Sequence, residues 1–148
     1  MATIAIASDH AGVALKAELV AELSKLGQTG LDLGPADTTS VDYPDYAAKL
    51  AEAVTGKQAS LGVLICGTGI GMSITANKVH GIRAALCHSE FDARFARMHN
   101  DANVLCLGAR TTGGGLAIEI MKIFVATAFE GGRHAGRVAK IALVEAKR

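Results

Sequence analysis

The segment Leu61-Gly62-Val63-Leu64-Ile65-Cys66-Gly67-Thr68-Gly69-Ile70-Gly71 decides the architecture. A short, almost continuous apolar run enters a turn in which glycine recurs at every second position. That pattern predicts a buried strand delivering the chain to a helix N-terminus, with the helix ending near Lys78. Alternating glycines let backbone N–H groups approach a ligand without Cβ obstruction. The helix start adds partial positive charge. Together they suit a phosphate or a developing oxyanion. Cys66, the last residue before the turn, stands where the same field favours a thiolate.

Outward from this unit, the same alternation recurs. Thr3 to Ser8 is a strand-length apolar run, followed by Gly12 and by Leu15, Leu19, Leu23 and Leu26 at helical spacing up to Gly27. Leu31 to Gly34 is a weaker strand. Asp42 and Pro44 open a helix whose apolar face is Ala47, Leu50, Ala51 and Val54. Arg83 to Cys87 is a fourth strand. Ser89 and Asp92 then start a helix with Phe91, Phe95 and Met98 as its apolar stripe. Asn103 to Leu107 is the fifth strand, followed by a long helix through Leu116, Ile120, Phe124 and Thr127. Gly131-Gly132 separates this from a last helix carrying Val138, Ile141 and Ala142. Five βα units over residues 1–148 predict one α/β domain: a doubly wound, Rossmann-like three-layer sandwich around a five-stranded parallel sheet.

Composition agrees. The 148 residues are 50% hydrophobic with 17 glycines and no tryptophan, which excludes a disordered chain. Fifteen basic residues against fourteen acidic ones leave a net charge of +1, which argues against a nucleic-acid binder. No signal peptide or membrane span is apparent, and the odd count of three cysteines (Cys66, Cys87, Cys106) suits reduced thiols. A cytoplasmic location is therefore expected. No cysteine–histidine spacing suggests a structural metal.

In a doubly wound sheet, ligands bind outside the strand C-termini. That edge receives Asp9-His10, Cys66 to Gly71, His88 and the segment after Leu107. Asp9 can equally be a turn residue bonding nearby N–H groups. Cys87 and Cys106, inside apolar strand patterns, read as structural thiols. His99 either complements a helix C-terminus or acts as an acid–base group. Arg133 and Arg137 share a helix face if the last helix starts at Arg133, and two guanidiniums suit a phosphate dianion. The glycine turn follows the third strand and has GxGxG spacing, so it is a poor dinucleotide fingerprint even though Glu90 lies about 20 residues onward. A phosphoacceptor receiver domain would need a carboxylate where Cys66 stands.

Taken together, Asp9-His10-Ala11-Gly12, Asp42-Tyr43-Pro44, Cys66 to Gly71, Ala76-Asn77-Lys78, Gly81-Ile82-Arg83-Ala84, His99-Asn100-Asp101-Ala102-Asn103 and Gly131-Gly132-Arg133-His134 resemble the type B ribose-5-phosphate isomerases over essentially the whole chain. The resemblance implies interconversion of D-ribose 5-phosphate and D-ribulose 5-phosphate through a cis-enediolate, without metal or other cofactor. Cys66 matches the proton-abstracting base, and His99 the acid of sugar ring opening. Asp9, His10, Gly67, Thr68, Gly69, Ile70, Gly71, Asn100 and Arg110 match substrate-binding positions, and Tyr43 lines the sugar site with Thr68. Arg133 and Arg137 match the phosphate clamp, with His134 beside them. One branch of the family places a carboxylate base in the helix after the glycine loop. Met72-Ser73 offers none, so the chain resembles the cysteine-base branch. The resemblance further implies a homodimer, in some members a tetramer, to which the helix from about residue 133 contributes. The segment with His99, Asn100 or Arg110 would then cross the interface, and neither nucleic acid nor membrane is a partner. A six-carbon substrate (allose 6-phosphate or galactose 6-phosphate) and a non-catalytic sugar-phosphate-binding module are the alternatives.

Overall fold

Strand β3 (Leu61–Cys66) lies at the centre of a five-stranded sheet in the computed structural model, which describes residues 1–148. The order is β2-β1-β3-β5-β4, with β1 Thr3–Ser8, β2 Thr29–Asp32, β4 Ala84–Leu86 and β5 Val104–Gly108, and every pairing is parallel. Six α-helices connect or follow the strands: α1 Val13–Lys25, α2 Tyr43–Thr55, α3 Ile70–Ala76, α4 Glu90–Asn100, α5 Gly114–Ala126 and α6 Arg133–Glu145. This is the expected α/β three-layer arrangement. The three central strands are buried on both faces, whereas the edges β2 and β4 are short, which limits unpaired backbone.

Alternation along each strand divides the core in two. Ile4, Ile6, Val63, Ile65, Leu105 and Leu107 face one way, onto α1, α4 and α5, with Leu19, Leu23, Ile120 and Phe124 filling that layer. Ala5, Ala7, Leu64, Cys66, Val104 and Cys106 face the other way, onto Leu50 and Val54 of α2 and Met72 of α3. Phe124 and the buried leucines are fully enclosed, and each contributes about 1.5–3 kcal/mol on burial. Lys16, 4% exposed, reaches from α1 to both carboxylate oxygens of Asp32 at 2.7 Å and ties β2 to the first layer.

Four local expectations change. Strand β2 begins two residues earlier than Leu31, because Thr29 pairs with Thr3 in the sheet register. Helix α3 stops at Ala76, before Lys78, where Asn77 turns its side chain to the backbone of Ala84. On α4 the buried residues are Ala93 and Ala96, while Phe91 is 69% exposed. The Phe91/Phe95 stripe is a surface feature, since small alanines let α4 pack close to the sheet. Helix α6 starts at Arg133 as expected, but Ile141, Leu143 and Val144 are exposed, so its apolar residues face outward.

Candidate active site

The chain crosses from one half of the sheet to the other between β1 and β3, and the two C-termini at this switch point carry Asp9 and Cys66. Asp9 is 7% exposed. Its Oδ1 accepts the Ala11 N–H at 2.9 Å, so Asp9 has the turn role as well as its position at the edge. His10 Nδ1 accepts the Val41 N–H at 3.2 Å, which fixes the tautomer and leaves Nε2–H as the donor.

The glycine turn is shaped by close approaches. Gly69 has φ +79°, and a Cβ there would lie 2.9 Å from the backbone carbon of Leu107. A Cβ on Gly71 would lie 2.6 Å from the Tyr43 ring, which covers the turn. The N–H of Gly69 donates to Cys66 Sγ at 3.1 Å, a contact suited to a sulfur bearing negative charge. The Ile70 N–H is taken by Thr68 Oγ1 at 3.2 Å. The expectation that all N–H groups from Gly67 to Gly71 face a ligand is therefore narrowed. Those of Gly67, Thr68 and Gly71 have no partner within the protein. With seven residues, α3 adds a shorter dipole than expected.

Because β5 lies between β3 and β4, Gly108 pairs with Cys66 and brings the next segment alongside the turn. The Arg110 N–H donates to the Gly67 carbonyl at 2.9 Å, and its guanidinium packs over Gly67. Arg110 thus joins Cys66 of its own chain. His88 follows the edge strand β4, one strand further out, and its N–H goes to Asp92. Burial pushes the Cys87 thiol up to about 12, with the Asp92 charge adding to the effect, and burial likewise raises Cys106. Both are buried free thiols within the core, as expected.

The other expected residues form a separate group. Helix α4 starts beyond the C-terminus of β4 and runs back along the sheet. His99 therefore lies about 15 Å down the helix from the edge that carries Cys66. Asn100 shares a cavity with Arg83, Ala84 and Ala102, at the N-terminal ends of β4 and β5. The His99 ring stacks on His134, the second residue of α6, with centroids 4.0 Å apart and planes at 13°. Arg133 and Arg137 sit one turn apart on α6, adjoining this pair. His134 is 3% exposed; desolvation, and then the neighbouring charges of His99, Arg133 and Arg137, hold it below the ordinary imidazole value. Phe91, Phe95 and His99 form an aromatic ladder along α4 leading to His134. Glu130, between α5 and α6, faces both imidazoles. Sequence reading missed it, because no spacing rule links a loop carboxylate to a histidine on α4.

Comparison with known proteins agrees with this fold. Residues 4–141 match the family model described as Ribose/Galactose Isomerase. The chain is 45% identical to ribose-5-phosphate isomerase B of Escherichia coli over 148 residues, covering 100% of this chain and 99% of that protein. It is 44% identical to D-erythrulose-4-phosphate isomerase of Pectobacterium atrosepticum, covering 98% and 96%. The structure of Clostridium thermocellum ribose-5-phosphate isomerase B superposes with a TM-score of 0.96 at 50% identity, covering 98% of each chain. No helix is long and apolar enough to cross a membrane. With this match along nearly its whole length, the chain belongs to the ribose/galactose isomerase family, alongside the type B ribose-5-phosphate isomerases.

Proposed function

We propose that the protein interconverts D-ribose 5-phosphate and D-ribulose 5-phosphate at a site shared between two copies of the chain. The observation that carries the chemistry is the Cys66 sulfur, held by the Gly69 N–H at 3.1 Å beside the unpartnered N–H groups of Gly67, Thr68 and Gly71. After ring opening, with His99 as acid, the Cys66 thiolate takes the proton from the carbon next to the aldehyde. The electron pair moves onto oxygen, giving a cis-enediolate. Cys66 returns the proton to the former carbonyl carbon while the hydroxyl proton passes between the two oxygens. No electrons are gained or lost overall. The free N–H groups and the Arg110 charge meet the developing oxyanion, one such donor being worth about 3 kcal/mol. These fixed dipoles do the work of a Lewis acid, so a chelator leaves the rate unchanged.

Arg133 and Arg137 hold the phosphate, and that remote binding orients the reacting carbons. Sharing of the site is supported by topology: His99 lies about 15 Å down α4 from the strand-end edge that carries Cys66, too far for both to act on one end of a sugar carbon chain. A second copy bringing His99, Asn100, Arg133, His134 and Arg137 to the Cys66 edge resolves this. Exposed Phe91, Ile70 and Ile74 offer apolar surface for such a contact.

An isomerase assay across four-, five- and six-carbon sugar phosphates tests the reading. The five-carbon pair is expected to give the highest kcat/KM. Cys66→Ala is expected to abolish turnover and hydrogen exchange at the substrate carbon while phosphate affinity persists. Near-normal turnover by that variant would refute the assignment.

A further inference from the structure

Glu130 is tethered to the end of α4 through its N–H, which donates to the Met98 carbonyl at 3.0 Å. Its Oε2 lies 3.8 Å from His99 Nε2, and its Oε1 lies 3.8 Å from His134 Nε2. The His134 Nε2 is buried and has no hydrogen-bond partner. These three side chains bring their donor atoms within 4.8 Å of one another, a spacing that invites comparison with a metal site. The ring geometry argues otherwise. An imidazole nitrogen presents its lone pair or N–H in the ring plane, so stacked rings only 13° from parallel, with centroids 4.0 Å apart, direct their Nε2 atoms within two separate planes and not at one point. A carboxylate, with one oxygen opposite each nitrogen, matches that arrangement.

The charges around the pair are otherwise positive. Helix α6 contributes Arg133 and Arg137. Helix α4 contributes Arg97, whose guanidinium is engaged by Asp101 and by the carbonyls of Ala102 and Thr127. Glu130 supplies the carboxylate that lies within ion-pair distance, 3.8 Å, of both imidazoles. The geometry points to Glu130 as a positioning residue for ring opening: its carboxylate holds the His99–His134 stack in register and keeps one proton on the pair. Burial disfavours the charged form of His134, and His99 is the more exposed ring of the pair. This inference rests on the reading of His99 as the ring-opening acid.

The full chain, Glu130→Gln and Glu130→Asp are compared in two measurements. The first follows the imidazole proton resonances against pH by NMR, without substrate. The pair is expected to give up its proton at lower pH in Glu130→Gln and to behave as in the parent in Glu130→Asp. Identical titration in all three would overturn the inference. The second is the pH–rate profile with D-ribose 5-phosphate. In Glu130→Gln the basic limb is expected to move to lower pH and kcat at neutral pH to fall about tenfold. KM should stay unchanged, because Glu130 pairs with the two histidines and leaves Arg133 and Arg137 to hold the phosphate. A raised KM with an unmoved profile would reduce Glu130 to a packing role and overturn the inference, as would a titration change without a change in the profile. If the titration responds but the parent isomerises no sugar phosphate, the proposed function fails while the grip of Glu130 on the pair stands.

Discussion

The Tyr43 ring occupies the space that a side chain on Gly71 would need, and the Leu107 backbone occupies the space beside Gly69. These two contacts predict different outcomes. At Gly71 the obstructing ring is 41% exposed and can swing away. Gly71→Ala should therefore fold with nearly unchanged stability and lose activity, as the displaced ring no longer covers the turn. At Gly69 the obstruction is backbone and φ is +79°, so the strain cannot relax. Gly69→Ala should lower unfolding free energy by about 1–3 kcal/mol in a urea titration and disturb the N–H that meets Cys66. The three cysteines also separate at this scale. Cys87 and Cys106 are buried thiols whose ionisation is raised by desolvation. Alkylation of the native protein near neutral pH should modify Cys66 alone, read by mass spectrometry, and Cys66→Ala should leave the native chain unlabelled.

Helix α6 illustrates what one element contributes. Its first turn holds His134 buried against His99, between Arg133 and Arg137, while its remaining length stays largely exposed. Desolvation, reinforced by those positive neighbours, lowers the His134 pKa from its usual value of 6.5. A group whose folded value is depressed stabilises the fold above its unfolded value, and that contribution is lost as pH falls through 6.5 towards the folded value. Below the folded value no further loss occurs. Chemical denaturation across this range should show stability falling on acidification, with a shallower fall in His134→Gln. An equal slope in both proteins would place the titration elsewhere. Helix α4 differs: Ala93 and Ala96 bury its sheet side, and its aromatic residues form the outer ladder.

At the scale of the whole molecule, the parallel sheet sends every strand C-terminus to one edge and every returning helix C-terminus to the other. That polarity separates Cys66 from His99 within a chain. If two copies complete each other's sites, Cys66→Ala and His99→Ala should each be inactive alone. Mixed under subunit exchange, they should recover activity, because a heterodimer retains one site with both groups intact. Random exchange gives about a quarter of the parent rate. No recovery from a mixture demonstrated to exchange subunits would show that each site is built within one chain.

The sequence by itself determined the strand–helix alternation, the α/β class, the strand-to-glycine-turn unit at Cys66 to Gly71 and the family. The family rests on the resemblance carried by several separated motifs in order; the others rest on local pattern: apolar runs of strand length, helical spacing of leucines, and glycines at fixed offsets. The helix start at Arg133 was legible for the same reason, from the two glycines before it. Tertiary structure alone decided which strand ends are neighbours. Inserting β5 between β3 and β4 sets Arg110 against Gly67 and leaves His88 an extra strand away, and no local pattern encodes strand order. It also decided which N–H groups remain free in the turn, why Phe91 lies outside the core, and how Glu130 meets two histidines from different helices. The physical reason is shared. Backbone propensity and periodicity act over a few residues, whereas these contacts join segments brought together only when the sheet buries both its faces.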